Sequence, residues 1–325
     1  MHAIDRTSSR RRFVLAAAGS AAFALTPLAL ARQEIINVLT GGPSGVYFSL
    51  GVALSQIWSK ALPDARVTLQ ATKGSAENLR LLQAGRGEIA FTLGDLLSGA
   101  WKGDKAAGFA KPLDKLRSVA GLYSNYVQIV ASASSGIKTL ADLKGRRIAV
   151  GAPNSSAELN ARAVLKAAGL GYADFPKVEH LSFGESAALI RDRQLDAALH
   201  SASLGAASVR ELAMAVPIVI VPIGPEVVAA IGDAAYQPAT IPAATYTGQT
   251  ADLPTAAIRN FLVSHSGVSD DAVYAMTKAM FDNLPTLIAA HSAAKGIRLE
   301  TAMTGTPVPF HPGAIRFYRE AGVLK

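Results

Sequence analysis

The sequence predicts an α/β fold with a mainly parallel sheet, arranged as two lobes around a cleft. Three observations lead to this prediction. Strand-like and helix-like segments alternate along most of the chain, which is typical of a parallel sheet covered by helices. A glycine-rich turn joins a strand to a helix in residues 38–50, and the same arrangement returns in residues 146–170. Since ligands bind beyond the carboxyl ends of strands in open α/β sheets, two such turns facing each other predict a cleft.

The first part of the chain carries three strand-like segments separated by two helix-like segments. The predicted strands are 34–40, 65–72 and 87–95, the last of which ends at Asp95. Residues 47–62 place apolar side chains at helical spacing, and Pro63 ends that predicted helix. Ser75 is predicted to cap the second helix, which Gly85 stops.

The glycine-rich turn between Gly41 and Tyr47 is not a known nucleotide motif. It lacks the Gly-Lys-Ser/Thr of a P-loop and the spacing of a dinucleotide fingerprint. A helix N-terminus offers free N–H groups and the positive end of the helix dipole, which suits an anion. The turn is therefore interpreted either as a site for a small anionic or polar molecule or as a plain strand-to-helix connection.

The second turn contains Ser155-Ser156-Ala157-Glu158, which fits the pattern of a capping box. In that motif Ser155 caps the helix and Glu158 reaches back to the backbone, so Glu158 is assigned a structural role. Ser155 and Ser156 are compatible with capping or with ligand binding. Further strands are predicted at 177–183 and 195–201, with a helix at 185–192 between them.

The N-terminus predicts export. Arginines at positions 10 to 12 precede nineteen uncharged residues, Phe13 to Ala31, and "ALA" at 29–31 is a small-x-small cleavage site. The adjacent arginines and Phe13 resemble the twin-arginine export signal. Residues 1–31 are therefore predicted to be a signal peptide cleaved near Ala31, and the alternative is an uncleaved membrane anchor. Removing them lowers the formal charge from +8 to +5, because they carry four arginines and one aspartate.

The composition argues against several classes of protein. The chain has no cysteine, which excludes disulfides, thiolate metal sites and cysteine nucleophiles. Its histidines are dispersed and no serine-nucleophile motif occurs, so neither a metal site, a cofactor nor an enzymatic activity is expected. The basic residues form no dense run, so nucleic acid is not an expected partner. A mild positive charge fits an anionic ligand.

Six segments, taken together and in this order, resemble the TAXI family, the extracytoplasmic solute-binding subunits of TRAP transporters. They include "GGPSGVYFSLGVAL", "TKGSAENLRLLQAGRGEIAF" and the ending "HPGAIRFYREAG", and the resemblance spans residues 35–323. It implies a two-lobed, type II periplasmic-binding-protein-like fold, with two doubly wound α/β lobes joined by two crossing strands. It also implies that the protein works as a monomer in the periplasm, holds glutamate, glutamine or a related dicarboxylate, and delivers it to a TRAP permease.

The resemblance also implies the ligand-binding residues. The Gly-x-Tyr motif of the family falls on Gly45 and Tyr47, its T-x-G-S-x-x-N pattern on Thr72, Ser75 and Asn78, and its second turn on Pro153 and Ser155. Asn154, Ser156 and Asp95 complete the predicted site. Ser156 and Ala157 stand where the family usually has glycine and threonine, so the ligand is open to question. The structural alternatives are a half-buried tyrosine for Tyr47 and a helix start for Ser75 and Asn78.

The chain is predicted to pass between the lobes twice. Residues 124–132 are the predicted outward crossing strand and 257–265 the return. The first lobe is expected to comprise residues 34–125 with 262–325, and the second residues 126–261. A ligand-presenting sensor for a membrane receptor has the same closing lobes and remains an alternative function, as does, with less support, an exported enzyme.

Overall fold

The computed structural model describes residues 34–43, 45–153 and 155–324. Within these ranges the chain forms ten strands and ten α-helices. The strands are β1 Glu34–Leu39, β2 Ala65–Gln70, β3 Ile89–Leu93, β4 Leu116–Ser132, β5 Arg147–Ala149, β6 Lys177–Glu179, β7 Ala197–Ala202, β8 Ile218–Val221, β9 Tyr236–Ile241 and β10 Leu253–His265. The helices are α1 Val46–Ala61, α2 Ser75–Gln83, α3 Gly94–Lys102, α4 Ser156–Ala167, α5 Phe183–Arg191, α6 Ala207–Ala215, α7 Pro225–Ile231, α8 Asp270–Asp282, α9 Leu284–Ala290 and α10 Pro312–Glu320. The predicted signal peptide, residues 1–31, lies outside the described residues.

The strands form one continuous sheet in the order β2-β1-β3-β10-β4-β7-β5-β6, with β9 added beside β10 and β8 beside β4. The pairs β1–β2, β1–β3, β5–β6 and β5–β7 are parallel. Every pair that involves β4 or β10 is antiparallel. The prediction of a mainly parallel sheet was therefore wrong for the middle of the sheet, because the two central strands run in opposite directions.

The two central strands are long enough to serve two separate groups of strands. β10 pairs with β3 through residues 260–264 and with β9 through residues 253–258. β4 pairs with β7 and β8 through its C-terminal part, residues 126–132. We call β1–β3 with α1–α3 and α8–α10 the first lobe, and β5–β9 with α4–α7 the second lobe. β4 and β10 are the two crossing strands, which confirms this part of the predicted fold; the residue limits of the lobes stay a prediction.

Each lobe has apolar side chains packed against the sheet. In the first lobe, α1 and α8 cover one face, where Trp58 is fully buried and its Nε1 donates a 2.9 Å hydrogen bond to the Met276 carbonyl. α2 and α3 cover the opposite face around Leu79, Leu97 and Phe261. Burying a side chain of this size contributes about 2–3 kcal/mol, so these contacts hold the helices to the sheet. Among the described residues, no helix has both the length and the apolar character needed to cross a bilayer.

Candidate functional site

The first turn of α1 places Tyr47 where the first lobe meets the crossing strand β10. Gly45 is the N-cap of α1, in an extended conformation, and Tyr47 follows in the first turn. The Tyr47 hydroxyl donates a 2.5 Å hydrogen bond to Asn260 Oδ1 and lies 3.5 Å from Ser75 Oγ. The Tyr47 ring stacks on Phe91, with ring centres 5.1 Å apart. Burial raises the pKa of Tyr47 well above its ordinary value, so its hydroxyl stays protonated and keeps the proton that it donates to Asn260.

Asn260 extends these contacts to both crossing strands. It is fully buried in β10, and its Nδ2 donates to the Tyr123 carbonyl and to Asn125 Oδ1 in β4, both at 3.1 Å. Asn125 Nδ2 in turn lies 3.5 Å from the carbonyl of Ser201, which belongs to β7 of the second lobe. A chain of polar contacts therefore runs from α1 of the first lobe, through both crossing strands, to the second lobe.

The same position interrupts the hydrogen-bond ladder between β4 and β10. Arg259 pairs with Ser124 and Phe261 pairs with Gly121, which leaves one residue of β10 opposite Leu122 and Tyr123. The carbonyls of these two bulge residues accept from side chains instead: Arg259 Nε donates to Leu122 at 3.2 Å, and Asn260 donates to Tyr123. Side chains thus replace the backbone ladder where the strands pass between the lobes.

Thr72 and Asn78 are committed to holding the strand ends together. Asn78 is fully buried, and its Nδ2 donates to the carbonyls of Thr40 at 2.7 Å and Phe91 at 2.8 Å. Thr72 donates to Asn78 Oδ1 at 2.7 Å. These bonds fix the turn after β1 to the C-terminal end of β3, so both residues position the loops around Tyr47.

The prediction that Ser75 caps α2 was wrong. The N-cap is Gly74, whose φ of +100° lies in the region that favours glycine, and Ser75 is the first residue of the helix. Ser75 Oγ instead accepts a 3.1 Å hydrogen bond from the Leu93 backbone N–H. This bond brings the N-terminus of α2 against the end of β3 and leaves Ser75 beside the Tyr47 hydroxyl.

The second turn is partly as predicted. Ser155 is the N-cap of α4, and its Oγ accepts a 3.2 Å hydrogen bond from the Glu158 N–H, which confirms the predicted cap. Glu158 does not reach back as a capping box requires, because its Oε1 accepts from Arg162 at 2.6 Å and from the Tyr172 hydroxyl at 2.7 Å. Pro153 lies in the turn before the cap and Ser156 begins the helix, whereas Asn154 lies outside the described residues.

Asp95 shares no hydrogen bond with Tyr47 and belongs to a different cluster, although the pKa of Tyr47 is raised by burial and, to a lesser extent, by the negative charge of Asp95. The predicted strand 87–95 ends at Leu93, and Asp95 belongs to the first turn of α3. Asp95 Oδ2 accepts a 2.6 Å hydrogen bond from Asn160 of α4 and a 3.2 Å bond from the Tyr236 hydroxyl of β9. This cluster joins the first lobe to the second. Burial, reinforced by the negative charge of Asp233, raises the pKa of Asp95 to about 6.

The residues missed by the sequence prediction are Asn125, Arg259 and Asn260 on the crossing strands, and Asn160 and Tyr236 around Asp95. A signal existed for the first three, since Asn125 and the pair Arg259-Asn260 are polar residues inside otherwise apolar strand segments. Such residues mark places where a strand has side-chain partners on neighbouring elements. Asn160 and Tyr236 gave no comparable signal, because α4 and β9 have polar faces of their own.

Comparisons with known proteins agree with this architecture. A family model described as the NMT1-like family matches residues 38–322. The structure of PhnD1 from Prochlorococcus marinus in complex with methylphosphonate superposes with a TM-score of 0.56 at 12% identity, covering 90% of this chain and 100% of that one. XAC2383 from Xanthomonas citri bound to a chloride ion gives 0.50 at 14% identity, covering 89% and 97%. The periplasmic aliphatic sulphonate binding protein SsuA from Escherichia coli gives 0.48 at 16%, covering 82% and 75%.

These likenesses are of fold. At such low identities, PhnD1 and XAC2383 show that the chain shares their mixed α/β, two-lobed fold and nothing beyond the fold. A shared fold does not identify the ligand of this chain, which depends on its own residues.

Proposed function

Because the chain belongs to the NMT1-like family, we propose that it is a periplasmic solute-binding protein that captures a small organic anion between its two lobes. The observation that carries the proposal is the chain of contacts from Tyr47 through Asn260 and Asn125 to Ser201. A ligand that engages Tyr47 acts directly on the point about which the lobes rotate. Solute-binding proteins of this architecture need such a coupling, because binding has to favour the closed arrangement.

The chemistry of the proposed site favours an oxyanion. Tyr47 and Ser75 lie at the N-termini of α1 and α2, and Ser155 and Ser156 at the N-terminus of α4. Hydroxyl groups and free backbone N–H groups at a helix start donate to a carboxylate without a buried counter-charge. Moderate, neutral contacts also allow release of the ligand, which a carrier requires.

The narrower assignment within this proposal is a TAXI-type subunit of a TRAP transporter, with glutamate, glutamine or a related dicarboxylate as the ligand. Its partner is the membrane permease, and its location is the periplasm after cleavage near Ala31. The support for it is the order of the six sequence segments, whose turns fall at the starts of α1, α2 and α4. PhnD1 is complexed with a phosphonate, another oxyanion, so that class belongs in the same test.

The experiment is calorimetric titration of residues 32–325, unfolded and refolded to remove any carried ligand. The titrants are glutamate, glutamine, 2-oxoglutarate, succinate and methylphosphonate. We expect micromolar binding of one dicarboxylate or amino-dicarboxylate. Preference for methylphosphonate would retain the solute-binding function and replace the TAXI-type assignment, and heat from none of the five would contradict the proposed ligand class.

Tyr47→Phe tests the site itself. The variant keeps the ring stacked on Phe91 and removes only the hydroxyl, so the fold is expected to remain cooperative. Loss of a hydrogen bond to a charged ligand weakens binding by about tenfold or more. The matched control is Tyr274→Phe, since Tyr274 lies on α8 with its hydroxyl directed to Glu320. Equal affinity of the Tyr47→Phe variant and the wild type would remove Tyr47 from the site.

A further inference from the structure

A cavity lies between the two lobes, beside the Asp95 cluster. Helices α3, α4 and α7 and the start of β9 line it. Its volume is about 540 Å³, which is within the range of small-molecule sites. The buried side chains of Asp95, Ser98 and Tyr236 line it, together with apolar side chains that include Leu159 and Ile231. The cavity therefore combines a polar floor with hydrocarbon walls.

The floor of this cavity carries a buried negative charge that no cation neutralises. Asp95 is only 9% exposed, and its three hydrogen-bond donors are the Leu96 N–H, Asn160 Nδ2 and the Tyr236 hydroxyl, all neutral. Asp233 lines the same cavity and raises the pKa of Asp95 by its own negative charge. In the part of the chain that the structure describes, neither carboxylate forms a salt bridge. Buried charges in proteins are normally paired, so this arrangement calls for a positive group from outside.

The cluster also lacks a hydrogen-bond donor. Asn160 is fully buried, and its Nδ2 is used by Asp95 and the Tyr236 hydroxyl. Its Oδ1 has no partner among the described residues. A primary ammonium group carries three N–H donors and a positive charge, which suits the Asp95 and Asp233 carboxylates that line the cavity; Asn160 lies behind them and is not part of the lining.

Basic side chains also line the cavity. Arg162 is paired with Glu158 at 2.6 Å, whereas Lys102 and Lys166 form no salt bridge within the described ranges. Lys102 follows Asp95 by seven residues on α3, which places the two about 10 Å apart along the helix axis. Consistent with that separation, neither lysine is among the charges that shift the pKa of Asp95. Among the described residues, the cavity lining thus carries the two unpaired carboxylates of Asp95 and Asp233 and, farther along α3 and α4, the two unpaired lysines Lys102 and Lys166.

We propose that this cavity is a second binding site, for a small zwitterion whose ammonium group lies against Asp95 and Asp233 and whose carboxylate lies toward Lys102 and Lys166. A hydrocarbon chain between the two charged groups matches the apolar walls. A bare metal ion is a poorer occupant, because no group of three His, Asp or Glu side chains in the described chain is placed to hold one. The site does not depend on the ligand proposed for the Tyr47 region.

The test is calorimetric titration of residues 32–325 at pH 7.5 with 6-aminohexanoate, hexylamine and hexanoate. We expect 6-aminohexanoate to bind, hexylamine to bind more weakly and hexanoate to give no heat. Asp233→Asn is expected to weaken the binding of 6-aminohexanoate by tenfold or more. Asp95→Asn is the second variant, and weaker binding is expected there too. The matched control is Asp104→Asn, an exposed residue on the rim of the same cavity, which is expected to change affinity less than twofold.

The pH dependence gives a separate readout. Since the pKa of Asp95 is about 6, only about a tenth of this carboxyl is ionised at pH 5, and the affinity for 6-aminohexanoate is expected to fall about tenfold from its value at pH 7.5. Absence of heat from both amines, or equal affinity in the Asp233→Asn and Asp95→Asn variants and the wild type, would overturn the proposal. Dicarboxylate binding in Asp233→Asn is expected to be unchanged, and its loss would show one shared site rather than two.

Discussion

Asp95→Asn removes a buried charge from the contact between the lobes while keeping the size of the side chain. In the folded protein the pKa of Asp95 is about 6, against an ordinary value of 3.8, chiefly because of burial. Between these two values the folded protein binds a proton that the unfolded chain has already released. The contribution of Asp95 to stability therefore rises as the pH falls through 6 and levels off below 3.8. The full shift of the Asp95 pKa, from 3.8 to about 6, corresponds to a change of about 3 kcal/mol in the free energy of unfolding.

The assay is urea unfolding of the wild type and of Asp95→Asn, followed by tryptophan fluorescence at several pH values from 7.5 to 4.5. Over this range the wild type is expected to gain about 2 kcal/mol relative to the variant. Other titrating groups are present in both proteins, so their effects cancel in the difference between the two. The substitution also alters hydrogen bonds, which shifts the free energy of unfolding by the same amount at every pH. The informative quantity is therefore how the difference in unfolding free energy between the two proteins changes with pH.

The control for this experiment is a second carboxylate that lines the same cavity. Asp104→Asn changes the same functional group at an exposed position of the same interlobe cavity and controls for the removal of one negative charge. If the difference for Asp95→Asn is level, Asp95 does not titrate between pH 4.5 and 7.5. The argument that burial raises its pKa would then be refuted.

His200 stacks on Phe183, and burial lowers its pKa to about 4, so its contribution to stability is expected to fall as the pH drops from 6.5 toward 4; in urea unfolding the wild type should therefore lose stability relative to His200→Phe over this range. Gly313→Ala should destabilise by at least about 2 kcal/mol, because its Cβ would lie 2.2 Å from a backbone oxygen of α8. Gly184→Ala in α5 meets nothing within 4 Å and should stabilise by about 0.5–1 kcal/mol, measured by thermal unfolding. Arg10→Lys with Arg11→Lys should block export, and normal export would indicate the general secretory route.

Local sequence signals were sufficient for much of the fold. The helix at 47–62 and the strands around it were predicted because apolar spacing, Pro63 and the glycines act within a few residues of the chain. α3 was missed for a physical reason. This short helix begins at Gly94 and contains Gly99, and glycine is a poor helix former, so the local sequence favours a turn over a helix. The predicted strand 87–95 consequently continued through Gly94, where the chain in fact turns directly into α3.

The candidate site was predictable only in part. Tyr47 and Ser75 were named through the family resemblance, on motifs at two helix starts, and they lie side by side. Asn260 was not predictable as their partner, since it lies 213 residues from Tyr47 and meets it only because β10 inserts between β3 and β4. Asp95 was included with them in the predicted site. Its actual partners, Asn160 and Tyr236, depend on how α4 and β9 of the second lobe pack against α3. A local sequence pattern does not predict such packing between distant segments.

If Tyr47 holds the ligand as proposed, the interruption between β4 and β10 allows weak contacts at Tyr47 to shift the arrangement of the lobes. A backbone ladder resists rotation because many hydrogen bonds must break together. Here the carbonyls of Leu122 and Tyr123 are bonded to side chains of Arg259 and Asn260. Each such bond contributes about 1 kcal/mol, so rotation at this point exchanges a few separate bonds and leaves the paired segments on both sides intact. A ligand that favours one arrangement by a few kcal/mol is then sufficient to move most of the population to it.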